Sequence, residues 1–416
     1  MKPKLLCLVD SPTVFTGFAQ VSRNVLKHLK ENFDITIMGI SCLDLLATAD
    51  YADYKIFPAN TAHPQDLYGL DFIPRLIERF DFDYVWMNND IAVIHEWLKR
   101  IVEACQNCNK PLPKISGYVP VDGPVFITQK FDEFLNYGTL TVYTEWGINE
   151  LKKCYLQEGK ADRWQQIKDK LYVAGHSVDT NVFYPVDKVV ARSHFKQSAY
   201  NEETGETIVQ DSIDANHFVI GWINRNQPRK RLTDCLLALA PFLKAHDDVR
   251  LLIRSSRRDV NGDYMPLAHH LGIIDKLILV APDAVGGLGI TIEELNLIYN
   301  SLDVYVSTSL TEGWGLGEHE AAACKKALIL PDNTVRPELY KDAAYLMECD
   351  RDFGDPTFVQ TLGKLFKRES LLEAVTYFYE NRDQTTIYGQ KAYDRIQSWK
   401  SWREIAMIIH RSLLHM

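Results

Sequence analysis

The chain has 416 residues, 46% of them hydrophobic and 24% charged. That exceeds the reach of one hydrophobic core and implies two domains of roughly 200 residues each. A formal net charge of −9 weighs against a nucleic-acid wrapper, while leaving room for a local basic pocket.

Residues 1–10 are too short for a signal peptide, and no apolar run approaches the roughly 18 residues that span a bilayer. A chain working in the cytoplasm is expected. The eight cysteines are scattered through apparent strands and helices, which is the pattern of reduced, buried thiols. Cys105 and Cys108 form a single Cys-x-x-Cys with no second pair nearby, so they read as a helix end and not as a zinc or redox site.

In chain order, the first apolar run, Leu5–Asp10, ends in the loop Ser11–Ala19 and is followed by a helical pattern over Ala19–Lys30. Further strands are predicted at Ile35–Ile40, Tyr54–Pro58, Tyr84–Asn88, Ile115–Pro120, Leu140–Thr144 and Leu171–Val178. Nearly continuous apolar strands that alternate with helices imply a parallel sheet covered on both faces. Ligands bind such sheets at the carboxyl ends of the strands. Gly17 in the first loop can bring an amide to a phosphate. Asp122 and the pair Asn89-Asp90 follow strands and can face a ligand, although an aspartate beside a glycine is ordinarily a turn-former. Asp81-Phe-Asp83 has a metal-binding look, but it precedes its strand and reads as a surface turn.

After a polar loop around Asn201–Glu206, a second series begins. Its strands are predicted at Phe218–Ile223, Val249–Ile253, Leu277–Val280, Val304–Ser307, Ala327–Leu330 and Ala343–Met347. The first of these runs into a basic loop, in which Arg225 and Lys230 can converge on one point. A guanidinium fork and a compact ammonium together neutralise a diphosphate; a solvated basic loop is the alternative. Arg229 and Arg231 read as solvent-facing. His269-His270 lacks acidic ligands at metal-binding spacing.

The segment Glu312-Gly-Trp-Gly-Leu-Gly-Glu-His-Glu320 is the most informative stretch. Glycines let backbone amides approach an anion, and the N-terminus of the helix that follows adds partial positive charge. Carboxylates accept paired hydrogen bonds from vicinal hydroxyls. The combination suits a nucleotide sugar, with diphosphate on the amides and hydroxyls on Glu312 and Glu320. A Gly-rich strand-to-helix turn is the plainer reading. Glu318 falls on another helix face and reads as solvated.

With these residues in view, the chain resembles the family 4 retaining glycosyltransferases of the GT-B fold, bacterial and viral or phage members included. Glu312 to Glu320 resembles the Glu-x7-Glu element of the family, and Arg225-Asn-Gln-Pro-Arg-Lys230 resembles its phosphate-binding Arg and Lys. Gly175-His-Ser-Val-Asp-Thr180 with Phe183-Tyr-Pro185 resembles its interdomain linker. Ser177 stands where a glycine is usual, and Gly17 lacks a paired glycine.

The resemblance implies an α/β protein of two doubly wound Rossmann-like domains facing across a cleft. Residues 1–185 would form the acceptor domain and 186–387 the donor domain, and a helix over about 388–416 would cross back to the first. It implies retaining, metal-independent transfer of a sugar from a UDP- or GDP-sugar to an acceptor hydroxyl on a glycan, lipid, protein or modified nucleobase. No cofactor beyond the donor is implied. Glu312 would contact the donor sugar and Glu320 the ribose. Arg225, Lys230 and the amides of Gly315, Leu316 and Gly317 would hold the diphosphate; Asp122, from its place after a strand, is a further catalytic candidate. An epimerase or hydrolase on the same fold, or an inactive nucleotide-sugar-binding protein, are the competing classes.

Overall fold

A computed structural model describes residues 2–14, 16–42, 53–201, 206–211, 213–280, 291–354 and 362–415. Contacts divide the chain into two units: Met1–His176 with Lys400–Met416, and Ser177–Trp399. The division lies inside the linker-like segment at 175–180, ahead of the expected boundary at 185. Residues 388–399, expected with the first domain, fall in the second unit.

The first unit is built on seven parallel strands: β1 Lys4–Asp10, β2 Asp34–Ile40, β3 Lys55–Pro58, β4 Tyr84–Asn88, β5 Lys114–Val119, β6 Gly138–Val142 and β7 Leu171–Val173. Their order is β3-β2-β1-β4-β5-β6-β7, and each pairing is parallel. Leu5 to Val9 are fully buried, as expected of a strand with helices on both faces. Those helices are α1 Gly17–Leu29, α2 Ile73–Arg79, α3 Ile91–Asn107, α4 Gln129–Leu135, α5 Glu145–Gln157 and α6 Ala161–Ile167. Thr16 caps α1, its hydroxyl accepting from the Ala19 amide at 3.0 Å, which satisfies one orphan donor of the first turn. The order reverses at β1 and β4, which sets the carboxyl ends of those strands beside a topological switch point.

The second unit opens with α7 Lys188–Arg192 and the antiparallel hairpin β8 Lys196–Asn201 with β9 Glu206–Asp211. The hairpin replaces the loop expected there; its turn, like Phe15 and Met416, lies outside the described residues. The sheet that follows comprises β10 Phe218–Ile223, β11 Val249–Arg254, β14 Leu277–Val280, β15 Val304–Val306, β16 Ala327–Pro331 and β17 Tyr345–Met347, with the small hairpin β12 Arg258–Asp259 and β13 Gly262–Asp263 inserted after β11. The strand order is β14-β11-β10-β15-β16-β17, all parallel. A further hairpin, β18 Cys349–Gly354 with β19 Leu362–Phe366, closes the strand set. The helices are α8 Leu232–Ala245, α9 Met265–Leu271, α10 Ile292–Ser301, α11 Leu316–Ala323, α12 Arg336–Tyr340, α13 Arg368–Glu380 and α14 Arg382–Gln397.

The chain then returns to the first unit as α15 Trp402–Leu414, started by a Ser401–Glu404 capping box. Ile405 and Ile409 are fully buried. Ser412 pairs with Ser116 Oγ at 2.7 Å, and its carbonyl accepts from Thr139 at 3.0 Å. Trp402 packs 5.9 Å from the His176 ring. Trp399, within the segment expected to cross back, packs in the second unit, on Trp314, His319 and Tyr340. Among the described residues, no helix is long and apolar enough to cross a membrane.

Ile409→Ala should therefore lower the stability of the first unit by about 2–5 kcal/mol, the range for truncating a buried aliphatic side chain. Limited proteolysis should show faster cleavage within residues 2–176. Unchanged cleavage there would show that α15 is not part of that core.

Candidate functional site

Two loops meet at the carboxyl edge of the second sheet. The first leaves β10, passes Arg225, makes a 3-10 turn over Pro228–Lys230 and enters α8 through Arg231. Arg231 holds a left-handed backbone, φ 57°, which non-glycine residues adopt infrequently. The second loop leaves β15 and reaches α11 through Gly315. Gly315 sits at φ 88°, a conformation open to glycine at little cost.

Short hydrogen bonds stitch the loops together. The Leu310 amide donates to the Arg229 carbonyl at 2.7 Å, and the Thr308 hydroxyl donates to the Lys230 carbonyl at 2.9 Å. The Trp222 indole in turn fixes Thr308 at 2.9 Å. This framework brings side chains 82 residues apart into contact: the Lys230 ammonium pairs with Glu312 Oε1. Arg229, expected to face solvent, instead donates to Glu312 Oε2 at 3.3 Å and to the Thr311 carbonyl at 2.9 Å. Arg231, expected in solvent too, pairs with Asp234 at 2.7 Å and lies over the Phe353 ring.

The largest correction concerns Glu318. It is 1% exposed and bound to the fully buried Arg336 at 2.8 Å. Arg336 also donates to the Ser309 carbonyl at 3.2 Å, to Asn333 Oδ1 at 2.5 Å and to Ser307 Oγ at 3.1 Å. Sequence spacing alone placed Glu318 on an outer face; no one-dimensional pattern shows that α12 delivers a guanidinium to it.

Burial by itself would raise the Glu312 carboxyl, but Lys230, Arg229 and Arg336 hold it well below the usual carboxylate range. Burial, with Arg229 and Arg336 beside it, lowers the Lys230 ammonium to about 8, against the pull of Glu312. Burial raises Glu318 despite its arginine.

Arg225 does not join Lys230. Its guanidinium makes a bidentate pair with Asp259 at 2.7 and 3.1 Å on the β12–β13 hairpin and is largely exposed. The expected convergence of Arg225 and Lys230 is thus not what the structure shows. Glu320 is buried, and its Oε2 accepts from the Tyr299 hydroxyl at 2.7 Å. Gly315, Leu316 and Gly317 form the start of α11, where the first amides have no intrahelical acceptor. A Cβ on Gly317 would come within 2.9 Å of the Tyr305 hydroxyl, so close packing also demands that glycine.

In the first unit, Gly17 is the first residue of α1. Asp122 is half-buried after β5, and its charge bears on Tyr143 together with those of Asp90 and Asp10. Asp10, missed in the sequence, is buried, accepts from Thr16 at 2.5 Å and is bonded by Asn89 at 3.4 Å. Asp81 and Asp83 lie at the amino edge of β4, paired with Lys110 and the Lys4 amide. His269 and His270 are exposed on α9. Among the described residues, no group of three or more His, Cys, Asp or Glu side chains is arranged to hold a metal ion.

No family model matches the chain. Two curated proteins match part of it. The D-inositol 3-phosphate glycosyltransferase of Mycobacteroides abscessus is 30% identical over 151 residues, 35% of this chain and 28% of that protein. The protein of that name from Segniliparus rotundus is 27% identical over 160 residues, 37% and 30% of the two chains. The matches thus span under a third of those relatives.

Solved structures match over nearly the full length. A glycosyltransferase from Rickettsia africae superposes with TM-score 0.69 at 16% identity, covering 99% of both chains. Sucrose-phosphate synthase from Thermosynechococcus elongatus gives 0.68 at 14%, covering 99% of this chain and 98% of that one. Anabaena HepE in complex with UDP gives 0.65 at 13%, covering 100% of both. The fold is GT-B, with two Rossmann-like domains.

Arg336→Leu should cost about 3–5 kcal/mol, because it strands a buried carboxylate. Urea unfolding followed on the second unit should register that loss. An unchanged midpoint would mean that Glu318 does not depend on Arg336.

Proposed function

We propose that this chain is a retaining glycosyltransferase, akin to family 4, that moves a sugar from a UDP- or GDP-sugar to an acceptor hydroxyl without a metal ion. The observation that carries the reading is the buried Lys230–Glu312 pair beside the start of α11. It sets a cation where leaving-group charge would develop and a carboxylate where sugar hydroxyls would bind. The fold shared with a UDP-bound structure and the partial likeness to inositol-phosphate glycosyltransferases support it. A cytoplasmic setting and an acceptor among glycans, lipids, proteins or modified nucleobases belong to the same reading.

In this mechanism the bond from the anomeric carbon to the β-phosphate oxygen breaks, and its electron pair leaves on that oxygen. Lys230, Arg229 and the α11 amides stabilise the charge. The acceptor oxygen bonds to the anomeric carbon on the face the diphosphate leaves, and its proton passes to the departing phosphate. Glu312 orients the sugar and Glu320 holds the ribose. Arg225 reaches the phosphates by exchanging its exposed pairing with Asp259, a small loss because such surface pairs contribute only about 0–1 kcal/mol. Retention rests on the family resemblance.

Lys230→Ala should weaken UDP or GDP binding by about 1.5–3 kcal/mol, the range for a charge-assisted contact, and Arg225→Ala by less. The free protein holds the Lys230 proton below about 8, and a bound phosphate keeps it to higher pH. Affinity should therefore be flat from about pH 7 to 8, where the terminal phosphate (second pKa about 6) is already ionised, and fall above it. Calorimetry across that range checks this, and a fall that persists in Lys230→Ala would place the titrating group elsewhere.

Glu312→Gln should impair turnover more than nucleotide binding, whereas Glu320→Ala should weaken binding itself. NMR of the product should show retained anomeric configuration, with activity surviving EDTA. An inverted product, or activity lost to EDTA and restored by Mn²⁺, would overturn the mechanism.

A further inference from the structure

Glu318 and Arg336 form a fully buried ion pair next to Glu312. Arg336 Nη2 stands 4.0 Å from Glu312 Oε1, outside hydrogen-bond reach, while it lies 2.8 Å from Glu318 Oε1. Lys230 pairs with that same Glu312 oxygen, and Arg229 takes the other. Among the described residues, Glu318 Oε2 has no hydrogen-bond partner. It lies against the loop that carries Glu312: a Cβ on Gly315 would come within 2.7 Å of it. An apolar pair of similar volume would fill such a place at no cost or with a gain in stability, so packing alone does not account for two buried charges there.

We propose that Glu318 is a positioning residue for sugar transfer: by holding the Arg336 guanidinium it leaves Glu312 to Lys230 and Arg229, and so fixes the carboxylate that orients the donor sugar. This rests on the transferase reading above. Without the Glu318 charge, Glu312 is, among the described residues, the remaining carboxylate within ion-pair reach of Arg336. The guanidinium would then compete with Lys230 for Oε1 and turn Glu312 away from the sugar. The other contacts of Arg336, to Ser309, Asn333 and Ser307, are to neutral groups and oppose that swing weakly.

The test is Glu318→Gln, examined by crystallography and by nucleotide release from UDP-glucose or GDP-mannose, water standing in for the acceptor. Arg336 should move within about 3.2 Å of Glu312. Release at saturating donor should fall about tenfold while the affinity for UDP or GDP changes less than about threefold. The double variant Glu318→Leu/Arg336→Leu removes both the restraint and the competitor, and should recover release to within about threefold of the original protein. An Arg336 that stays in place with unchanged release overturns the proposal. So does a parallel loss of release and affinity, which would mark a merely structural pair, or a double variant as impaired as the single one. If the unaltered protein binds neither UDP nor GDP, the transferase reading fails, and the Arg336–Glu312 distance still decides whether Glu318 restrains the guanidinium.

Discussion

The contact between Lys230 and Glu312 organises the second unit. It joins two loops that leave different strands, and it is buried, so each charge depends on the other for what water would otherwise supply. Around it stand Arg229, Arg336 and Glu318. Three cations against two carboxylates give the five groups a sum of +1. The loops that carry these groups are held by backbone hydrogen bonds, such as that from the Leu310 amide to the Arg229 carbonyl. The pairs Lys230–Glu312 and Glu318–Arg336 tie the two loops, α11 and α12 to one another.

The aromatic residues around this cluster have a complementary role. Trp314 lies inside the Gly-rich segment yet faces His319 and Trp399, at ring-centroid distances of 4.9 and 5.4 Å. His319 is further fixed by the Tyr340 hydroxyl at 2.8 Å. The glycines on either side let the backbone bend, while the tryptophan anchors that bend in the core. Flexibility and fixation thus alternate along the few residues between Glu312 and Glu320.

Much of this was legible in the sequence, and the reasons it was legible differ. Strands such as Phe218–Ile223 and Leu5–Asp10 are continuous apolar runs because both sheet faces are covered, so one-dimensional hydrophobicity suffices to find them. Lys230, Glu312 and Glu320 stood out as candidates because glycines and charges cluster at strand-to-helix junctions. Arg229 and Arg231 were misread because a charge run is usually solvated, and here the partner loop folds over it. Arg225 was misassigned to Lys230's company because its Asp259 partner sits 34 residues away on a hairpin too short to signal itself. The hairpin after α7 was missed because the run Asn201–Glu206 and its polar surroundings read as a loop.

The sequence by itself determined the strands and helices of the two parallel sheets, though not the small hairpins. Those follow from hydrophobic period, glycine placement and chain direction, which are local properties. Only the tertiary structure decided which charges pair. Glu318 and Arg336 are separated by 18 residues and a strand, and their meeting depends on how α12 packs after β16. It decided likewise that Trp399 stays with the second unit while Trp402, three residues later, belongs to the first. Burial of a charge is set by what folds over it, and that is a three-dimensional property no window of sequence contains.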